Sequence, residues 1–380
     1  MATNVYGNGT NSTAGANTIV HFYDRAGVKA ANRTNVYGQF ADRKSMPTKM
    51  GKTFKISKFL HMYDRAISDA AFAEKGFLSA RDIDDVNTAL TSATLAEGAG
   101  AVNKKSLQKV TMETSLARYG EMIDYTDEVE LFSEDAIQVR YREELGELAN
   151  SRMEDLLQLD MLATPTVMYA GDATSIGEID ADSTVSYDLI RKAVRKLVRN
   201  RAQKNTQLVT GSNKIDTNTV AKAFYAVIGA NVKGDLETLT RGTVADNGAT
   251  EFVYIPVHKY ASAATLAEGE VGAMHEVRFI ESESAVVYSG QGAAATGHTG
   301  GLSVTGSNFD VFPILFPTQG CFATVGLKGQ GKIKFNSKSP ESVENANPYG
   351  TNGFFSYNFF YAGIILEEEK LLKILVSASA

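Results

Sequence analysis

Apolar side chains recur at helical spacing over one long stretch, Ser133 to Thr164. Ile137, Tyr141, Leu145, Leu148, Leu156, Leu159 and Ala163 follow at three- and four-residue steps, with one break near Arg152, the period of a helix. Ser133 is a good N-cap, Glu134 and Asp135 fill the first turn where the helix dipole favours negative charge, and Pro165 supplies the stop. At 1.5 Å per residue the predicted rod is roughly 45 Å long. Gly146 interrupts it as a bend or a close backbone crossing. Its polar positions include Arg140, Glu143, Glu144, Glu147 and Glu154. A rod of this length suits a scaffold better than a pocket, and its leucines predict packing against a sheet of the terminal strands.

A second helix is predicted from the cap Ser186 to about Ala202. Leu189, Ile190, Ala193, Val194, Leu197 and Val198 share one face, and Arg191, Lys192, Arg195, Lys196 and Arg199 share the other. That pattern reads either as a solvated amphipathic helix or as an anion-binding face. Earlier in the chain the period changes to two. Phe54 and Ile56 alternate with Lys55 and Ser57, and Val110, Met112 and Thr114 alternate with Lys109, Thr111 and Glu113, which predicts two strands of one excursion. Between them, Asp82 to Lys105 is polar and rich in Ala, Thr and Gly. A long two-stranded hairpin is marginal alone, so this one is expected to rest on another subunit.

From Thr206 onward helices and strands mix. Strands are predicted at Leu208–Thr210, Phe252–Val257, Val277–Ile280, Ala285–Tyr288, Val311–Phe316, Phe322–Leu327, Lys332–Phe335, Phe354–Leu366 and Leu371–Val376. A helix is predicted to carry Val220, Phe224, Val227 and Ile228. There is no βαβ rhythm, which favours α+β over a doubly wound sheet. Ser289 to Asn308 holds six glycines among Ala, Thr and Ser with no Asp, Glu, Lys or Arg, and reads as a flexible surface loop that folding does not need.

Composition narrows the picture. The 380 residues suffice for two domains, or for one with extensions, and 43% are hydrophobic. A net charge of −6 argues against binding nucleic acid through overall charge. Local charge differs: nine Lys or Arg lie between Arg25 and Lys58, broken only by Asp42. That stretch is a solvated tail or a polyanion contact. Residues 1 to 44 otherwise lack a sustained period and read as an extended arm. Met1 to Thr18 lacks the apolar core of a signal peptide, and Phe354 to Leu366 falls short of the ~20 residues a membrane span needs. Neither secretion nor a membrane is expected.

No motif supplies chemistry. Gly326, Gly331 and Lys332 match a phosphate loop, but Ile333 stands where Ser or Thr must reach magnesium. Gly51, Lys52 and Thr53 have that motif's ending, with Met46 in place of its first glycine. His21, His61, His258, His275 and His298 lack metal-site spacing. Cys321, the only cysteine, permits no internal disulfide and reads as a small core residue. No catalytic residue, cofactor or metal is assigned.

The order of parts does carry a resemblance. A basic arm, a hairpin, a long helix after Ala117-Arg118-Tyr119-Gly120-Glu121-Met122-Ile123-Asp124-Tyr125-Thr126-Asp127, a basic second helix, an α+β region and terminal strands succeed one another. The local matches are Thr94-Leu95-Ala96-Glu97-Gly98, Ile190 to Asn200, and Glu270-Val271-Gly272-Ala273-Met274 leading into Arg278-Phe279-Ile280-Glu281-Ser282. In these the chain resembles tailed-phage major capsid proteins of the HK97 fold, and specifically the N4-gp56 family, over about residues 50 to 375.

The resemblance implies an α+β shell subunit and no enzyme. It implies an N-terminal arm (1–50), an extended E-loop hairpin (51–117), a peripheral domain with the spine helix (118–205 and 330–380) and an axial domain (206–329). It implies pentamers and hexamers of the chain around double-stranded DNA, with portal and scaffolding or decoration partners, in a virion made in the bacterial cytoplasm. On that reading Arg25, Lys29, Arg33, Arg191, Arg195 and Arg199 face the DNA. The rivals are a cellular compartment shell of the same fold, and an intracellular binding module or enzyme with an unrecognised site.

Overall fold

The computed structural model describes residues 35–59, 82–98, 100, 103–104, 107, 109–132, 137–206, 220–243, 250–260, 266–297, 300–329, 333–343 and 347–380. A 3-10 turn, Tyr37–Gln39, leads into β1 (Asp42–Met46). β2 (Thr53–Phe59) and β3 (Lys109–Ser115) form an antiparallel ladder with Thr53 opposite Ser115 and Phe59 opposite Lys109, as their alternation predicts. Between them lies α1 (Ile83–Thr91), capped by the Asp82 carboxylate on the N–H of Ile83. Then come β4 (Ala117–Thr126), α2 (Asp127–Phe132), α3 (Ile137–Leu162), β5 (Val167–Tyr169) and α4 (Tyr187–Arg199). The second half runs through β6 (Phe224–Ile228), α5 (Ala230–Glu237), β7 (Thr240–Thr243), β8 (Thr250–Phe252), β9 (Ile255–Pro256), β10 (Glu270–Met274) and β11 (Val277–Glu281). It closes with β12 (Val304–Thr305), β13 (Asn308–Phe309), β14 (Phe312–Pro317), β15 (Phe322–Leu327), β16 (Lys334–Lys338), β17 (Asn352–Ile365) and β18 (Leu371–Val376).

Two sheets carry the structure. The larger runs β5-β18-β14-β6-β11-β10-β9, and its central strands are buried on both faces, so successive side chains enter different cores. Phe224, Ala226, Ile228, Ile314, Phe316, Leu372 and Ile374 pack with Leu189, Ile190, Ala193 and Leu197 of α4 and with Val232 and Leu236 of α5. Val227, Ile280, Leu315 and Leu371 point the other way, into the core that holds α3. The second sheet runs β1-β15-β17-β16, with β4 also paired to β17. Phe355, Tyr357, Phe359 and Tyr361 form an aromatic ladder along β17, packed in one core with Leu145, Leu157 and Met161 of α3. Ring pairs such as Tyr125–Phe355, 5.3 Å between centroids, and Tyr357–Phe359, 6.2 Å, add to the simple area effect.

The long helix is therefore set against the terminal strands. Leu145 is buried, and Leu148 and Leu156 are half-buried in the same cluster. The buried stripe also uses Ala149, Glu154, Leu157, Gln158 and Met161, while Leu159 is 55% exposed. Residues 133–136, with the expected cap Ser133, lie outside the described residues. The other end is tied down: the Lys373 ammonium donates to the carbonyl of Leu162 at 2.8 Å, covering a carbonyl the helix end leaves open, and Thr164 Oγ1 just beyond it donates to the Leu371 carbonyl of β18 at 2.7 Å. Tyr361 donates to Asp160 at 2.8 Å. Gly363 is required beside that pair, since a Cβ there would fall on the Asp160 carboxylate.

Several expectations are corrected. Phe224 to Ile228 is a strand, not a helix: five apolar residues buried on both faces carry no period, so periodicity cannot separate the two forms. Ala285–Tyr288 forms no strand, only a bridge from Tyr288 to Val311. The expected strand Leu208–Thr210 lies outside the described residues. β4 escaped the pattern because its exposed side chains give it no apolar alternation, although it pairs with β17 from Thr126 opposite Asn352 to Ala117 opposite Tyr361. The chain is already built into the core at Val36 and Tyr37, and β1 runs parallel to β15, so an arm reaching residue 44 does not describe 36–46.

The glycine-rich segment is not a free loop. Asp310 accepts from the Gly290 N–H at 2.7 Å, Ser303 Oγ at 2.8 Å and Thr305 Oγ1 at 2.9 Å. Ala293 N–H donates to the Ile179 carbonyl, and Ser303 N–H to that of Ala378. A Cβ on Gly292 would sit 2.8 Å from the carbonyls of Ile179 and Phe309. Composition misleads here because the segment is fixed by hydrogen bonds to Asp310, Ile179 and Ala378 and by the close approach at Gly292, none of which composition shows.

Candidate assembly surfaces

Among the described residues no group of three His, Cys, Asp or Glu could hold a metal, and no helix is long and apolar enough to cross a membrane. Cys321 is buried, and desolvation pushes its thiol up to about 11, an inert core residue as expected. Gly326 lies within β15, paired to Ser45 of β1, rather than in a phosphate loop; Gly331 and Lys332 lie outside the described residues.

The hairpin stem has two faces. Phe54, Ile56 and Met112 are half-buried and pack on Met46, Leu116, Ala323, Val325, Ala362 and Ile364 of the chain's own second sheet. Thr114 Oγ1 donates to the Gly363 carbonyl at 3.0 Å, and Lys58 pairs with Glu367 at 3.0 Å. The base of the excursion thus folds back on its own sheet, contrary to the expectation that the whole hairpin lacks support. Farther out, among the described residues, α1 has no buried residue, and Ile83, Leu90 and Leu95 are exposed.

α2 is the second exposed feature. It is short and acidic, with Asp127, Glu128 and Glu130, and ends in Leu131 and Phe132, which are 73% and 84% exposed. No period marked it in the sequence; the available signal was two large apolar residues placed inside a run of acids.

α4 forms a third surface. Ser186 Oγ accepts from the N–H of Leu189 at 3.2 Å, the N-cap the sequence foretold. Arg191, Arg195 and Arg199 stand at four-residue steps and are exposed, so they share one stripe of the helix. Arg191 pairs with Asp188 at 3.3 Å and lies over the Tyr187 ring at 5.7 Å. Val198, expected on the buried face, is 53% exposed. It borders a groove of about 1050 Å³ between α4 and the Pro165–Met168 segment. Lys196 reaches across to donate to the Val167 carbonyl at 3.3 Å, and burial lowers its pKa. Arg25, Lys29 and Arg33, the other candidate DNA-facing residues, lie outside the described residues.

The chain is similar to known proteins along nearly its whole length. The major capsid protein of Pseudomonas phage KPP21 is 29% identical over 377 residues, 95% of this chain and 93% of that one. Among solved structures, the capsid of Ralstonia phage GP4 superposes with a TM-score of 0.63 at 11% identity, covering 98% of this chain and 99% of that one. The capsid of cyanophage P-SCSP1u gives 0.58 at 10% identity, covering 99% and 98%. At such identities the structural likeness concerns the fold, which is that of the HK97-like phage capsids. No family model matches the chain, so the narrower likeness to the N4-gp56 family rests on the residues quoted for it.

Proposed function

We propose that this chain is the major capsid protein of a tailed bacteriophage, a structural subunit that self-assembles into the capsomers of an icosahedral shell. The observation that carries the reading is the extent of its likeness to a phage major capsid protein, which covers 95% of this chain and 93% of that one. The surfaces agree with it. An excursion with an unsupported outer part, an apolar-tipped acidic helix and a groove on α4 are what a subunit needs when its neighbours complete its burial.

In the finer reading, pentamers and hexamers enclose double-stranded DNA, with portal and scaffolding or decoration proteins as partners, and the subunit is made in the bacterial cytoplasm. The arm residues Arg25, Lys29 and Arg33 and the α4 row Arg191, Arg195 and Arg199 face the DNA, since a packaged polyanion is neutralised by local positive charge even when the subunit is acidic. The spine helix α3 with the β17 sheet forms the peripheral part and the larger sheet with α4 and α5 the axial part. β18 pairs with β14 of the larger sheet, so in this reading it goes with the axial part rather than with the rest of 330–380. Electron microscopy of the expressed full chain tests the proposal. Closed shells or capsomer rings are expected, with nuclease-protected DNA in particles from infected cells. A monodisperse small oligomer would overturn it, and shells filled with enzyme rather than DNA would favour the cellular compartment.

A further inference from the structure

α2 and the α4 groove lie at opposite ends of one rod. α2 ends at Phe132, a few residues before α3 begins at Ile137, and the groove is walled by Pro165 to Met168, which follow the end of α3 at Leu162. A helix of 26 residues spans roughly 39 Å. One chain therefore cannot bring its own α2 into its own groove.

The two ends are complementary. The groove is edged by Lys192, Arg195 and Arg199, with Val198 and Met168 as apolar wall. Of its carboxylates, Glu276 is neutralised by Lys204 at 2.6 Å, and Glu369 lies among the lining residues. α2 offers the inverse: acids on its first turn and two large apolar side chains at its tip, exposed to an extent that is unusual for a free surface.

We infer that the α2 segment of one copy docks into the α4 groove of a neighbouring copy, with Leu131 and Phe132 against Val198 and Met168 and the acids of α2 beside Lys192, Arg195 and Arg199. Knob and socket are different patches, so the contact is head-to-tail, the type that closes into rings. The inference rests on the shell-subunit reading but replaces its DNA-facing assignment of two residues: Arg195 and Arg199, which line the groove, serve a contact between copies, and the DNA-facing role is left to Arg191 and the arm.

The test uses the full chain expressed in cells, with the assembled fraction read from sedimentation. Phe132→Ser, at a site too exposed to harm the fold of one subunit, is expected to lower assembly at least tenfold. So are Glu128→Arg and the pair Arg195→Glu with Arg199→Glu, and combining the opposite reversals is expected to restore assembly to within a few-fold. Independently, Phe132→Cys with Val198→Cys is expected to give ladders of covalently linked copies on oxidation of intact shells. Unchanged assembly in the single-surface variants, or shells without a ladder, would overturn the docking. Shells that form normally from the arginine variants but protect less DNA would overturn it in favour of a nucleic-acid face, leaving the shell reading intact. Failure of the unaltered chain to form shells would instead remove the reading beneath it.

Discussion

The carboxylate of Glu154, from the middle of α3, accepts the backbone N–H of Tyr37 at 2.6 Å, and the same oxygen lies 2.5 Å from the nitrogen of Val36. Glu154 is only 3% exposed, and the Tyr37 hydroxyl and the Gln158 amide meet 2.9 Å apart one turn farther along. A negative charge thus sits at the start of the Tyr37–Gln39 turn, where N–H groups lack partners. Glu154→Ala strands those buried donors and is expected to cost about 2–3 kcal/mol. The thermal midpoint of dispersed subunits should fall accordingly, and limited proteolysis should newly cut between residues 35 and 46. Unchanged resistance to cleavage would show that other contacts hold this segment.

The same carboxylate gives a pH dependence with a definite sign. Burial raises its pKa, and the hydrogen bonds from Tyr37, Val36 and Gly38 only partly offset that. A carboxyl whose folded pKa lies above its unfolded value contributes stability below the unfolded value, about 4.5, and loses it as pH rises through the folded one. The stability of the wild-type subunit minus that of Glu154→Gln should therefore grow as pH falls from 7 towards 4.5. Urea midpoints at the two ends of that range measure it, and a constant difference would contradict the assignment.

Along α3 the structure separates leucines that the sequence pattern treats alike. Leu145 is sealed beneath the β17 aromatics, so Leu145→Ala should destabilise by about 2–5 kcal/mol. Leu159→Ala, at an exposed position, should stay within about 0.5 kcal/mol. Equal losses from the two, in chemical denaturation of dispersed subunits, would mean that α3 is rotated from the position described.

Asp310 predicts the opposite of what composition implies for the glycine-rich segment. Burial alone would raise its carboxyl, but the Gly290 N–H and the Ser303 and Thr305 hydroxyls hold it below the ordinary value. Its contribution is present above the unfolded value, about 3.8, and is lost as pH falls through the folded one. Replacing residues 290 to 306 with a short linker removes all three donors, so the subunit should lose stability rather than tolerate the change. An unaltered melting temperature would restore the reading of a dispensable loop.

What could be read from the sequence depended on whether burial was one-sided. α4, β2 and β3 show their faces as period, and Ser186 announces the start of α4; β18, buried on both faces, shows only as an apolar run bounded by the acidic Glu367 to Glu369. β6 hides because both its faces are buried, and β4 because its place is set by backbone pairing to β17. Glu154 and Asp310 look like ordinary surface acids until the N–H groups they collect, from residues distant in sequence, are brought to them. The arginine row of α4 was legible for the same reason as the helix itself. The groove beside it was not, since its second wall comes from Pro165 to Met168 and its position depends on the larger sheet.

The hairpin gives the last prediction, and its structure divides the expectation in two. Phe54, Ile56 and Met112 hold the stem to the chain's own sheet, helped by the Lys58–Glu367 pair and by Thr114 on the Gly363 carbonyl. None of these contacts involves Asp82 to Lys105, where α1 buries nothing and Ile83 and Leu90 on it, with Leu95 beyond its end, are exposed. Deleting Asp82 to Lys105 should therefore change the stability of the dispersed subunit by less than about 1 kcal/mol, since none of its described residues joins a core. It should abolish closed shells, because the exposed Ile83 and Leu90 on α1 and Leu95 just beyond it need a neighbour to cover them. Sedimentation together with negative-stain imaging reads both arms at once. A deletion variant that unfolds would show that the outer hairpin supports its own subunit, and one that forms normal shells would show that neighbouring subunits make no use of it.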